Sequence, residues 1–133
     1  MTTLNHLPLL DGSGRPSSPA PISAAAVTAD LVVVSGQAAI DGTTGAILAD
    51  TIDGQAEIVL EMLDAVLLRA GTTRASVLRT ECYLARREDF AAFNAVYARW
   101  FPPPAPARTT IVCDFALPGM LVEIQALAVR DGP

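Results

Sequence analysis

An arginine and a glutamate stand near the end of the chain, each within a segment that is otherwise apolar or small. Arg108 lies in Ala107–Cys113 and Glu123 in Leu117–Ala126, with Pro118-Gly119 between them. The side-chain pattern predicts two β-strands joined by a short turn at Pro118-Gly119. A guanidinium can hold an anion by two parallel hydrogen bonds, and a carboxylate can accept and return a proton. The pair therefore indicates either a ligand cleft or a solvated sheet surface.

Strand alternation predicts which neighbours share a face with these two residues. Glu123 points away from the apolar layer of its strand, whereas Arg108 and Thr110 lie on one face of the preceding strand. Cys113 takes the opposite face from Arg108, and we expect it to be a buried, inert thiol. Arg108 as a structural ion-pair partner of Glu123 or Asp114 is the alternative to a ligand site.

Other reaction classes are excluded by residues that the chain lacks. It contains no lysine, so it can neither form a Schiff base nor attach pyridoxal phosphate. His6 is the only histidine, which argues against histidine-dependent triads. Cys82 and Cys113 lack the spacing of a zinc site or a disulfide framework. We therefore expect no metal and no cofactor.

Composition and charge limit the partners. The 133 residues fit a single domain over residues 1–133, and no apolar run approaches the ~20 residues of a membrane span. A hydrophobic content of 51% in so small a domain favours a homo-oligomer. The net charge of −5, with nine scattered arginines among fourteen acids, argues against nucleic-acid binding. The N-terminal residues do not read as a signal peptide, so we expect a cytoplasmic protein.

The first half of the chain predicts β-structure followed by a helix. The Gly-, Ser- and Pro-rich stretch 11–21 is typical of a loop rather than a phosphate cradle. The predicted elements are strands at Thr2–Leu7, Ser23–Thr28 and Asp30–Gln37, a turn at Asp41–Gly45, a short return at Ile47-Leu48, and an amphipathic helix at Gln55–Arg69 capped by Thr51 or Asp53 and ended by Gly71.

The second half predicts a strand and another helix before the arginine segment. Val77–Leu84 reads as a strand with Leu78, Thr80, Cys82 and Leu84 on one face. Glu88–Phe101 reads as a helix whose aromatic stripe of Phe90, Phe93, Tyr97 and Trp100 is typical of core. The order of elements predicts an α+β sandwich in which two helices lie on one face of a mixed sheet.

Several short segments, taken in order, resemble the RidA (YjgF-type) reactive-intermediate deaminase family. The resemblance covers about residues 21–129. Its pieces are Leu31–Gln37, the Gly45 turn, Gln55, Phe90–Tyr97, Pro106–Thr110, Leu117-Pro118 and Val122–Ile124.

The resemblance implies a fold, an assembly and a reaction. The fold is a chorismate-mutase-like α+β domain that forms a homotrimer, with active clefts between subunits. The reaction is hydrolysis of a reactive 2-imino acid or related enamine to the keto compound and ammonia. By the resemblance, Arg108 binds the substrate carboxylate and Glu123 positions the attacking water and transfers protons. Such acid/base help is worth ~10²–10⁴ in rate.

Four further residues are implied in the cleft. Backbone groups near Ser35 and Gly36 approach the ligand, because glycine has no Cβ. Thr110 stands where many relatives carry cysteine or serine, and keeps a hydroxyl. Ile22 replaces the family's usual tyrosine, and its apolar side chain suits a bulkier imine than 2-aminoacrylate.

Two other functions stay open from the sequence. A non-catalytic trimer could bind a small carboxylate or a partner protein in the same cleft, and Ile22 motivates this alternative. Ribonuclease activity, reported for some relatives, conflicts with the acidic charge and the lack of lysine, so we rank it last.

Overall fold

The computed structural model describes residues 3–11, 13–16 and 20–130. Within these ranges six strands form one sheet in the order β1-β2-β3-β6-β4-β5, and two α-helices accompany it. The strands are β1 (Asn5–Leu7), β2 (Ala25–Val27), β3 (Leu31–Ala38), β4 (Val77–Leu84), β5 (Ala107–Val112) and β6 (Val122–Val129); the helices are α1 (Ile52–Arg69) and α2 (Phe90–Trp100).

Strand pairing confirms a mixed sheet but corrects the predicted hairpin. β4 and β5 run parallel, whereas the other neighbouring pairs are antiparallel. β5 and β6 do not pair, because β4 lies between them. The crossover through α2 returns the chain parallel to β4 at the sheet edge. β6, whose alternate residues are buried, then takes the central position between β3 and β4.

Helix α1 begins three residues before the predicted start. The Thr51 hydroxyl accepts a hydrogen bond from Gly54 N at 3.1 Å and so caps the helix, as predicted. Gly71, with φ of +84°, follows the last turn and allows the chain to leave the helix. The stripe from Ala56 to Leu67 packs against β3 and β6.

Helix α2 is shorter than the predicted Glu88–Phe101. A 3₁₀ turn over Arg87–Asp89 precedes it, and the run of prolines that starts at Pro102 follows it. Ion pairs join the helical layer: Arg99 pairs with Glu57, and Arg74 pairs with Asp64 at 2.9 Å. These contacts hold α2 and the turn after α1 in place.

The sheet has two unlike faces, as the predicted sandwich requires. One face, formed by β-strand residues such as Val34, Cys82 and Ile124, is buried under both helices. The other face carries polar residues and exposed apolar ones. Leu78 was predicted to share a face with Thr80, Cys82 and Leu84, but those three are buried and Leu78 is exposed. The pairing of β4 with β6 shifts between Val77 and Arg79 and turns Val77 inward instead.

Of the remaining predicted elements, two strands are shorter than expected and the turn is confirmed. β1 and β2 cover only part of their predicted ranges, and Thr2 lies outside the described residues. The turn at Asp41–Gly45 is confirmed, with Gly45 at φ of +76°, and Ile40 bridges Ile47 as the short return. Cys113 is half-buried rather than buried, and it directly follows the exposed Ile111 and Val112 at the end of edge strand β5. No helix among the described residues is long and apolar enough to cross a membrane.

Candidate active site

Arg108 lies on the helix-covered side of edge strand β5. Its register partner is the buried Thr80, so its side chain extends toward α2. Nη2 donates a hydrogen bond to Asn94 Oδ1 at 2.7 Å. The guanidinium carbon lies 4.7 Å from the ring centre of Tyr97, 5.6 Å from that of Phe93 and 5.9 Å from that of Phe90. Aromatic faces attract a guanidinium, so these contacts hold the cation in one place.

Arg108 keeps most of its hydrogen-bonding capacity. Asn94 is the only side chain in the described part of the chain that hydrogen-bonds to it, and no carboxylate there comes within ion-pair distance. The alternative of an ion pair with Glu123 or Asp114 is therefore not what the structure contains. A guanidinium has five N–H donors, so the fork that binds carboxylates is still free.

A buried hydrogen-bonded layer lies beneath this arginine. The Tyr97 and Thr80 hydroxyls are 2.7 Å apart, and the Cys82 thiol donates to Thr80 Oγ1 at 3.8 Å. Burial raises the pKa of the Cys82 thiol to about 11, so it stays protonated and is no nucleophile at neutral pH. The layer supports the aromatic rings and does not itself reach solvent.

The Thr110 hydroxyl is a second polar group next to Arg108. It lies two residues farther along the same face of β5, opposite the buried Cys82. Thr110 Oγ1 is buried and has no hydrogen-bond partner among the described residues. An unpaired buried polar group costs about 1–3 kcal/mol, so such groups normally have a partner. We call Arg108, Thr110, Asn94 and the three rings the arginine site.

Glu123 lies on the open face of the sheet, at the start of β6. Partial burial raises the pKa of its carboxyl above the ordinary value, and no hydrogen bond or ion pair among the described residues opposes that effect. Gly36 lies directly against it, because a Cβ at this position would stand 2.7 Å from Glu123 Oε2. The position tolerates glycine alone without moving the carboxylate.

A bulge brings Ser35 and Gly36 to the glutamate. The pairing of β3 with β6 shifts between Val34 and Gln37, and such irregularities re-aim side chains. The Ser35 hydroxyl donates to Ser23 O at 2.6 Å, which ties β3 to the segment that carries Ile22. Ile22 is 58% exposed. We call Glu123, Gly36, Ser35 and Ile22 the glutamate site.

The two sites lie on opposite faces of one sheet. Glu123 pairs in register with Tyr83, and Tyr83 pairs with Ile111, so two strand spacings also separate β6 from β5. Within one chain, Arg108 and Glu123 therefore cannot contact the same small molecule. The sequence correctly predicted that each residue lies in a β-strand, but it did not predict that the two side chains lie on opposite faces of the sheet.

Sequence reasoning missed Asn94 and assigned the aromatic stripe to core alone. Phe93 and Tyr97 are buried, but together with the half-exposed Phe90 they also form the floor beneath Arg108. Asn94 follows Phe90 by four residues and precedes Tyr97 by three, so helical spacing places all three on one face. A polar residue within an aromatic stripe was the sequence signal that could have indicated a binding role for this face of the helix.

A hydrogen-bonded group borders the glutamate site on the open face. Gln125 Nε2 donates to Tyr83 Oη at 3.0 Å, and Tyr83 Oη donates to Glu81 Oε2 at 3.0 Å. The bond to Glu81 raises the pKa of the Tyr83 hydroxyl, so it stays protonated. No cluster of ligands suited to a metal ion occurs in the ranges that the structure describes.

Comparison with known proteins gives one consistent family. The family model described as Endoribonuclease L-PSP matches residues 13–130. A RutC family protein of Pyrococcus horikoshii is 34% identical over 84% of this chain and 88% of its own. Reactive Intermediate Deaminase A, chloroplastic, of Arabidopsis thaliana is 34% identical over 85% of this chain and 60% of its own. The structure of YyfA from Yersinia pestis, of the Rid protein family, has a TM-score of 0.82 and 30% identity, covering 96% of this chain and 99% of that one.

Proposed function

The chain belongs to the Endoribonuclease L-PSP family, which is the YjgF/RidA family, and from that premise we propose that it is an imine and enamine deaminase. The substrate is a reactive 2-imino acid or a related enamine, and the products are the keto compound and ammonia. The observation that carries the proposal is the arginine site, where a fixed guanidinium with free donors stands beside a buried hydroxyl that has no hydrogen-bond partner among the described residues. Together they form a preorganised set of hydrogen-bond donors for a small carboxylate.

We propose that the active cleft lies between two copies of the chain in a homotrimer. The opposite faces of Arg108 and Glu123 require this if both act on one substrate. The open face also carries apolar side chains that a monomer would expose, such as Val33 at 51% and Ile111 at 47%. Burying that face against neighbours removes apolar surface from water, which favours assembly. The arginine site of one subunit would then face the glutamate site of the next.

The reaction needs only water and proton transfers. Arg108 holds the substrate carboxylate, and Thr110 donates its hydroxyl hydrogen to the same group. Glu123, ionised, accepts a proton from water as the water oxygen bonds to the carbon of the protonated imine. It then returns this proton to the amine nitrogen, and the carbon–nitrogen bond breaks to release ammonia. As the hydroxyl becomes the carbonyl, Glu123 takes the hydroxyl proton and passes it to the departing ammonia, which leaves as ammonium and restores the ionised carboxylate. An enamine enters the same sequence after a proton transfer to carbon.

The raised pKa of Glu123 suits both halves of this proton transfer. A carboxyl whose pKa lies nearer neutrality is a stronger base and still gives its proton back. Acid/base help of this kind contributes ~10²–10⁴ in rate. The substrates are reactive in water, so this moderate acceleration is sufficient. Ile22, exposed and apolar, borders the cleft where it favours substrates with larger apolar side chains.

Ribonuclease activity, which the family model's description names, is less well supported. The net charge is −5 and the nine basic residues are scattered, so no strong phosphate-binding surface is expected. A non-catalytic role as a carboxylate-binding trimer uses the same arginine site. Turnover of an imine decides between binding and catalysis. The single domain over residues 1–133 and the cytoplasmic location stay predictions.

The test measures ammonia release from imines that an amino-acid oxidase generates from a panel of amino acids. We expect the purified protein to accelerate release, and Arg108→Ala to abolish the acceleration while the oligomer stays intact. Arg87→Ala is the matched control, because Arg87 is exposed and lies outside both sites. Equal rates for the wild type and Arg108→Ala would refute the assignment; binding of the carboxylate without turnover would leave the non-catalytic role.

A further inference from the structure

A groove of about 540 Å³ lies between the N-terminal segment, the end of β3 and helix α1, and it borders the glutamate site at Gly36. We propose that it binds a free α-amino acid with an apolar side chain. The proposal concerns binding only, and it holds whether or not the chain hydrolyses imines.

Apolar side chains from three parts of the chain line the groove. They are Leu9 and Leu10 of the N-terminal segment, Ile40 and Leu48 after β3, and Met62 and Val66 of α1. Leu10 and Leu48 are exposed, so the groove is open to solvent and leaves apolar surface to be covered. Its volume falls within the range of small-molecule sites, which combine apolar walls with a few polar groups.

The groove's charged lining residues have both signs. Arg69, in the last turn of α1, donates Nη2 to Pro8 O at 2.8 Å and has no ion-pair partner in the described ranges. Asp11 and Asp41 also line the groove. This lining therefore has one cation and two anions.

The two carboxylates are held in fixed orientations and stay ionised. Asp11 Oδ1 accepts hydrogen bonds from the Ser13 hydroxyl and backbone N–H at 2.7 and 2.8 Å. Asp41 Oδ1 accepts from Thr43 N and Thr44 N at 2.8 and 3.0 Å. These bonds lower the pKa of both carboxyls. The Oδ2 atom of each accepts no hydrogen bond from any described residue, so both remain available to a ligand.

A ligand with both charges complements this lining better than a ligand with one. A simple carboxylate would pair with Arg69 but meet two anions, and a simple amine would leave the guanidinium unpaired. An α-amino acid carries an ammonium and a carboxylate on one carbon, and its apolar side chain covers the groove walls. Charge complementarity of this kind favours ligands that carry both charges, because a ligand with a single charge leaves some of the lining charges unpaired or repelled.

The groove is separate from the carboxylate of Glu123. Gly36 lines the groove, and the side of Gly36 where a Cβ would project faces Glu123. The backbone of β3 thus stands between the two. Occupation of the groove does not require the reaction, so failure of one proposal leaves the other standing.

Calorimetry on the intact protein tests the proposal with three matched probes: leucine, 4-methylpentanoate and 3-methylbutylamine. We expect leucine to bind at least about tenfold more tightly than either single-charge analogue. Equal or tighter binding of an analogue would overturn the proposal, as would no binding of leucine, methionine or phenylalanine up to about 10 mM.

Two variants locate the site. Ala65→Trp fills the groove from an exposed position of α1, and Arg69→Gln removes its cation. We expect the first to abolish leucine binding and the second to weaken it about tenfold or more. Arg87→Gln removes an exposed arginine elsewhere and should leave the affinity unchanged. Wild-type affinity in both groove variants would place leucine elsewhere and refute the proposal.

Discussion

The arginine site and the glutamate site differ in how far one chain completes them. Arg108 is oriented by a hydrogen bond and three aromatic rings of the same chain. Glu123 is half-buried, has no described partner for its carboxylate and faces an uncovered sheet surface. The contrast teaches that the anion-binding half is preorganised within a subunit, whereas the proton-transfer half depends on what covers the open face.

Removing the ionisable group of the glutamate site should have the largest effect. Glu123→Gln keeps the size of the side chain but cannot accept the proton of the attacking water. We expect kcat for imine hydrolysis to fall by ~10²–10⁴ with little change in KM, since Arg108 still holds the carboxylate. Steady-state ammonia release checks this. A loss confined to KM would show that Glu123 binds substrate rather than transferring protons.

Mixed oligomers sharpen the comparison by placing the two halves on different chains. Arg108→Ala and Glu123→Gln chains with different tags can be co-expressed and purified through both tags. In any mixed trimer, about one cleft in three would join an intact arginine site to an intact glutamate site. We expect about a third of wild-type activity, although each variant alone is inactive. Mixed oligomers without activity would mean that the two residues do not meet across an interface.

Gly36→Ala tests whether the glutamate site tolerates any displacement. The added Cβ would stand 2.7 Å from Glu123 Oε2, so the carboxylate must move. A shift of about 1 Å in a catalytic group can cost up to about 10²-fold in rate. We expect kcat to fall between about 10- and 10²-fold while the melting temperature changes little. Gly14→Ala is a control without a nearby contact, although its φ of +83° adds local strain.

The sequence predicted the helices and strands more completely than it predicted the geometry of the candidate site. The periodicity predicted α1, α2 and β4 because each buries one regular stripe of its own residues. It failed at Leu78, where a register shift changes which residue turns inward, and at the β5–β6 hairpin, where β4 inserts from a distance. Arg108 and Glu123 were identified by type, but their opposite faces depend on pairing with β4, which local alternation does not encode. Asn94 was missed for a related reason, because its role depends on contact with another element.

Asn94→Ala weakens the arginine site more mildly. It removes the hydrogen bond to Nη2, while the aromatic rings still attract the guanidinium. A hydrogen bond to a charged group contributes about 1.5–3 kcal/mol, and solvent replaces part of it here. We expect KM for imino acids to rise about tenfold. Hydrolysis of an imine without a carboxylate is the internal control, and a matching loss on that substrate would contradict a role through Arg108.

The smallest expected effect is a change in melting temperature, and its sign shows whether the carboxylate of the glutamate site lacks a stabilising partner. Burial raises the pKa of Glu123 in the folded chain, so the folded state holds this proton more tightly than the unfolded state does. The contribution of Glu123 to stability is therefore most favourable below its unfolded pKa and is lost as pH rises through the raised folded pKa. Glu123→Gln should then melt at a higher temperature than the wild type at neutral pH, and the difference should shrink as the pH falls toward the ordinary pKa of glutamate.

The measurement is the difference between the two melting temperatures at each pH, which cancels the titration of the other carboxyls. A wild type that is more stable than Glu123→Gln at neutral pH would show that the carboxylate has a stabilising partner across the open face, and that the glutamate site is as fully formed as the arginine site.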